Sequence, residues 1–158
     1  LNAPCQRFGA KVVNAELPVY AEMNKLIEIG HETAGEGLRF VKIDDSTLCI
    51  VAMCDASFAN ADGCKSQLGF VVLLVDGQNR ANIVHYGSQR CTPVTRSLMA
   101  AELYGVVAGY DNSIFVSEMI ILILGRKLNI VLMLDSKTVF DTVTRLSTTN
   151  EKRLQIDA

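Results

Sequence analysis

Two apolar runs constrain this chain more than any other feature. Leu48-Cys49-Ile50-Val51-Ala52-Met53-Cys54 leads into Asp55, and Asn129-Ile130-Val131-Leu132-Met133-Leu134 leads into Asp135. Neither run alternates polar with apolar residues. A continuous apolar run of this length reads as a strand buried on both faces, as in the parallel or mixed sheets of α/β domains. Each run then delivers an aspartate at the C-terminal end of its strand. Open α/β sheets place their sites at that edge, so two neighbouring parallel strands would set Asp55 and Asp135 side by side.

The residues around these runs fill in the rest of the sheet. Residues 1–17 show little periodicity. Pro18 can open a helix at its first turn, with Val19, Met23, Leu26 and Ile27 at helical spacing and Gly30 as a stop. After Asp55 a polar loop runs from Ser57 to Lys65. Leu68 to Val75 reads as a second strand, turned by Asp76-Gly77, and Ala81 to Tyr86 as a third. Thr95 or Ser97 can cap a helix that carries Glu102 and reaches about Asn112. A second helix is expected over about Ser113 to Leu124, stopped by Gly125. Ser136 caps one more, through about Leu146. The order β-β-β-α-α-β-α predicts an open mixed sheet in which the strand before Asp135 lies parallel to the strand before Asp55.

Bulk properties limit the partners. The chain has 158 residues, 49% of them hydrophobic, enough for one globular domain with a core. Its net charge of −2 lacks the basic surplus of a stand-alone nucleic-acid binder. Affinity for a polyanion must come from a local patch, from metal ions or from a neighbouring domain. The five cysteines (Cys5, Cys49, Cys54, Cys64, Cys91) form no CxxC pair and read as plain thiols in a reducing compartment. Residues 1–15 have no signal-peptide core, and the apolar run Met119 to Leu124 is too short to span a bilayer. The chain opens on Leu1 and stops at Ala158, so both ends read as cuts in a longer protein.

Glu102 completes a set of three acids. It lies beside an apolar helix face formed by Leu98, Met99, Leu103, Val106 and Val107. A carboxylate there is costly to bury unless a cation or a donor meets it. Three acids at one point repel each other, and an all-oxygen donor set favours Mg²⁺ or Mn²⁺. Two such ions about 4 Å apart activate a water and stabilise the leaving oxygen of a phosphodiester. No His/Cys ligand cluster, Ser-His-Asp set or GxGxxG motif competes; His31 and His85 read as surface or strand residues. The plainer alternative is that each aspartate is only a loop residue or a helix cap.

Six blocks then resemble one family. They are Asp55-Ala56-Ser57-Phe58-Ala59-Asn60; Lys65-Ser66-Gln67-Leu68-Gly69-Phe70; Arg80-Ala81-Asn82-Ile83-Val84-His85-Tyr86; Val94 through Tyr104; Leu134-Asp135-Ser136-Lys137; and Thr149 through Asp157. In order and spacing they resemble the ribonuclease H domain of fungal Ty1/copia-type retrotransposon polyproteins. The stretches Met23 to Leu26 and Gly37 to Phe40 look like the connection that follows the polymerase there. The resemblance implies residues 1–46 as lead-in and connection, and 47–158 as a ribonuclease H-like α/β domain ending before its fifth strand and last helix.

The family's activity is endonucleolytic cleavage of RNA in an RNA–DNA hybrid, with two Mg²⁺ (or Mn²⁺) ions on an Asp-Glu-Asp-Asp set. Asp55, Glu102 and Asp135 match the first three as catalytic and metal-binding residues. Nothing matches the fourth, for which Asp157 is a distant candidate. Without it, the chain on its own is expected to bind metal and turn over poorly or not at all. Ser57, Ser66, Thr95, Arg96, Ser97 and Ser136 are the implied substrate contacts. Expected partners are the hybrid and the polymerase domain of the same polyprotein, with no membrane, inside the cell in a cytoplasmic or nuclear retrotransposon particle. The alternative is a catalytically silent remnant that packs or binds nucleic acid. A third option, an integrase-like nuclease, fits the Asp55 and Glu102 blocks less well.

Overall fold

A computed structural model of the chain describes residues 17–61 and 65–145. The chain divides after Phe40 into two compact units. The first contains helix α1, Leu17–Glu32. It runs past Gly30, the expected stop, and Thr33 Oγ1 caps the Ile29 carbonyl at 2.8 Å. Glycine costs a helix stability but does not end it unless the chain must turn left-handed.

The second unit is built on a four-stranded sheet: β1 Cys49–Ala61, β2 Lys65–Val75, β3 Ala81–Arg90 and β4 Ile130–Met133, in the order β3-β2-β1-β4. β1 and β2, and β2 and β3, are antiparallel. β4 lies parallel to β1 with Ile50 opposite Ile130 and Met53 opposite Met133. Helix α2, Leu98–Leu124, makes the crossover, and α3, Lys137–Arg145, follows β4. The expected mixed sheet with flanking helices is therefore present, while residues 146–158, with Asp157, lie outside the described residues.

Both apolar runs bury one face rather than two. In β1, Ile50, Ala52, Cys54 and Ala56 are buried, whereas Met53 is 49% exposed. In β4, Val131 and Met133 are 45% and 50% exposed. The covered face packs under α2, whose Leu103, Val106 and Val116 join Ile50, Phe70, Val72, Leu128 and Val139 in one core. Among the described residues of this unit no helix lies across the other face. Apolar composition on both faces is thus no guide to which face is covered.

β1 is also longer than its apolar run. It continues past Asp55 to Ala61, and β2 starts at Lys65, so most of the expected polar loop is antiparallel hairpin. Polar side chains are no obstacle to a ladder made by backbone groups. The β2–β3 turn is organised by Asp76 rather than by Gly77. The Asp76 carboxylate accepts from Gln78 N, Arg80 N and Asp44 N, each at 3.0 Å, and pairs with the Arg80 guanidinium. The left-handed position falls on Asn79, with φ 60°.

The two expected helices around Asn112 are one. Asp111-Asn112-Ser113 stays helical because its polar side chains bond back along the helix: Asn112 Nδ2 donates to the Ala108 carbonyl at 2.8 Å, and Ser113 Oγ to that of Gly109 at 2.7 Å. The helix ends at Gly125, at φ 68°, whose N–H reaches the Ile121 carbonyl. At 27 residues, α2 is long and apolar enough to cross a membrane on length and composition alone. It also buries Ala100, Ala101, Gly105 and Gly109 in the domain, as a core helix does.

Candidate metal centre

Three elements each bring one acid to the same place. Asp55 lies two residues past Met53, where the parallel pairing of β1 with β4 ends. Asp135 lies two residues past Met133, the partner of Met53. Equal offsets beyond one parallel pair keep the two aspartates level as the strands separate. Glu102 reaches them from the first turns of α2, which Ser97 caps by accepting from Ala100 N at 3.1 Å. Two glycines let α2 sit close to β1: a Cβ on Gly105 would stand 3.3 Å from the Asp55 carbonyl oxygen, and one on Gly109 would stand 2.2 Å from Cys54 Sγ.

One carboxylate oxygen from each of Asp55, Glu102 and Asp135 lies within 4.8 Å of the others. Asp55 and Asp135 are exposed and Glu102 is half-buried. Burial, and then the charges of Asp135 and Asp55, push the Glu102 carboxyl above its ordinary value. Repulsion of this kind is what a divalent cation relieves. The donor set is all oxygen, open to solvent on one side, and suits Mg²⁺ or Mn²⁺ better than zinc.

The other expected contacts fall into two groups. Ser57 is half-buried within β1, opposite Gln67, and the exposed Arg96 lies just before α2. Ser66 is fully buried, and its hydroxyl lies 2.6 Å from that of the buried Thr95. This pair ties β2 to the segment before α2. Ser97 serves as the α2 cap, and Ser136 Oγ accepts from Val139 N at 3.5 Å at the start of α3.

A polar row escaped the sequence reading. Cross-strand partners share a sheet face. Asp55 is opposite Gly69, and Gly69 is opposite Ser88; one step on, Ser57 is opposite Gln67, and Gln67 opposite Arg90. Gln67 Nε2 donates to Ser88 Oγ at 2.9 Å. A register shift between Val72 and Leu73 sets this alignment, and no residue in the sequence announces that shift.

No protein-family model matches the sequence, and no curated protein matches it. Among solved structures the chain is similar to a ribonuclease H1 from the halophilic archaeon Halobacterium salinarum NRC-1. The TM-score is 0.47, with 22% identity over 68% of this chain and 69% of that one. It is also similar to LC11-RNase H1, solved in complex with an RNA/DNA hybrid. There the TM-score is 0.44, with 17% identity over 68% and 69% of the two chains.

Proposed function

We propose that this chain is a metal-dependent endonuclease that cleaves the RNA strand of RNA–DNA hybrids, as part of a retrotransposon reverse transcriptase polyprotein acting inside the cell. The observation that carries the reading is the convergence of Asp55, Glu102 and Asp135 from β1, α2 and the end of β4. The six sequence blocks support the finer part of it, including a polymerase domain as covalent partner.

The three carboxylates fit a divalent ion, Mg²⁺ or Mn²⁺, and such ions supply a water of lowered pKa and compensation of charge on the leaving oxygen when bound. The chain's own residues do the positioning. Asp55 and Asp135 extend from paired strands that fix their separation. Burial, and then the charges of Asp135 and Asp55, raise the affinity of Glu102 for a proton, and in its ionised form it would complete the donor set for such an ion. Selection of RNA rests on 2′-hydroxyls and helix shape rather than on base sequence. The net charge of −2 gives little help in holding a polyanion.

The test is a hybrid labelled separately on each strand, incubated with the chain and saturating Mn²⁺ at low salt. Slow cutting confined to the RNA strand, and lost in Asp55→Asn, is expected. Cutting that falls equally on both strands, or that survives Asp55→Asn, contradicts the reading.

A further inference from the structure

We infer that the RNA strand leaves the metal centre across the sheet, over Gly69 and toward Arg90, and that Gly69 is a glycine to let the sugar-phosphate backbone lie against the sheet. The inference rests on the proposed hybrid nuclease reading and adds the path of its substrate.

Glycine inside a paired strand weakens it and needs a reason. Other glycines of this unit have internal ones. A Cβ on Gly87 would stand 2.6 Å from the Phe70 ring, and those on Gly105 and Gly109 would press on β1. Gly125 is left-handed. Gly69 has neither reason. Its φ lies outside the left-handed region, and an added Cβ would meet only the Asp55 carbonyl oxygen, at 3.7 Å, an ordinary contact. Nothing within the described residues requires the missing side chain. Gly69 is nevertheless the direct cross-strand neighbour of Asp55, in the middle of β2. A backbone without a side chain there leaves a shallow floor beside the acids.

The surroundings give the floor a direction. On the same face, the residues one step back along the strands are Met53, Val71, Tyr86 and Met133, all apolar or aromatic. The residues one step forward are Ser57, Gln67 and Arg90. A polyanion leaving the centre meets hydroxyl, amide and guanidinium groups in one direction, and in the other uncharged side chains of which only Tyr86 carries a hydroxyl. Arg90 is exposed and stands on the third strand, roughly 10 Å across the sheet from β1 at ordinary strand spacing. A guanidinium there pairs with phosphate, and the Gln67 amide and Ser57 and Ser88 hydroxyls suit 2′-hydroxyls.

The experiment compares the full chain with Gly69→Val and Arg90→Gln. Mn²⁺ binding, thermal unfolding and affinity for an RNA–DNA hybrid are measured for each. Hybrid binding is read in Ca²⁺, whose looser geometry holds the complex without tight two-ion coordination. Gly69→Val is expected to keep Mn²⁺ binding and an unfolding midpoint at or above that of the parent, while losing at least about tenfold in hybrid affinity. Arg90→Gln is expected to lower the slope of log affinity against log salt by about one. A folded Gly69→Val that binds hybrid like the parent overturns the path, as does an unchanged salt slope in Arg90→Gln, and either result leaves the nuclease reading standing. Should the valine variant not fold, Arg90→Gln decides alone. A parent chain that binds Mn²⁺ but no hybrid overturns both the path and the nuclease reading.

Discussion

Glu102 sits half-buried between two aspartates, and both circumstances oppose its ionisation. Its folded-state pKa is raised, so the folded chain holds this proton more tightly than the unfolded chain. In the absence of metal, stability therefore falls as pH rises from the unfolded value, about 4.3, through the folded one, and stays reduced above it. Glu102→Gln removes that loss. The metal-free variant should unfold at a higher temperature than the parent at pH 7, and the two should converge at pH 3. Asp76 is the opposite case. The Asp44 N–H, with donors from Arg80 and Gln78, holds its carboxyl well below the usual range despite its burial. Its contribution is present above the unfolded value, about 3.9, and is lost as pH falls below it. Asp76→Asn should lower the unfolding midpoint at pH 7, with the difference shrinking in acid. Thermal scans of both variants across pH 3–7 check the two signs together. The Glu102 effect follows from the grouping of acids that the sequence already marked; the Asp76 effect does not, because Asp44 comes from a distant segment.

At the scale of elements, α2 sets how near Glu102 comes to β1. Its buried face holds the expected Leu103 and Val106, with Met99 packed alongside, but the rest is mostly small, Ala100, Ala101, Gly105 and Gly109, and the expected Leu98 and Val107 are not buried. Leu98 is 57% exposed. Hydrophobic periodicity weights large side chains, so it points toward the bulky residues and away from the stripe where the backbone approaches most closely. The continuation of α2 through Asp111-Asn112-Ser113 was hidden for a related reason, since turn-forming residues also bond within a helix. Gly109→Ala tests the close approach. Its Cβ would press on Cys54 Sγ, and overpacking of this kind costs about 1–3 kcal/mol. In Gly109→Ala/Cys54→Ala the sulfur is gone, so denaturant unfolding should show most of the Gly109→Ala penalty removed. A double variant less stable than the sum of its parts would show that Cys54 is not what excludes a side chain there.

The whole molecule was legible where one local pattern was enough. The apolar runs before Asp55 and Asp135 gave two neighbouring strands, β1 inside the sheet and β4 at its edge, and the strand-turn-strand spacing between Leu68 and Tyr86 gave the meander. The parallel placement of β4 on β1 followed from the crossover helix. What escaped depends on register between distant segments: the length of β1, the open face carrying Met53 and Met133, and the row from Ser57 to Arg90. Those features need the ladder itself, because a single bulge changes which residues face each other. On the proposed function the sheet and α2 together make one divalent-metal site. Calorimetric titration of Mn²⁺ into the chain and into Asp55→Asn, Glu102→Gln and Asp135→Asn tests it most directly. Saturable binding by the parent, weakened at least about tenfold in every variant, is the expected result. Variants that bind Mn²⁺ as the parent does would show that the three carboxylates stand together without holding an ion.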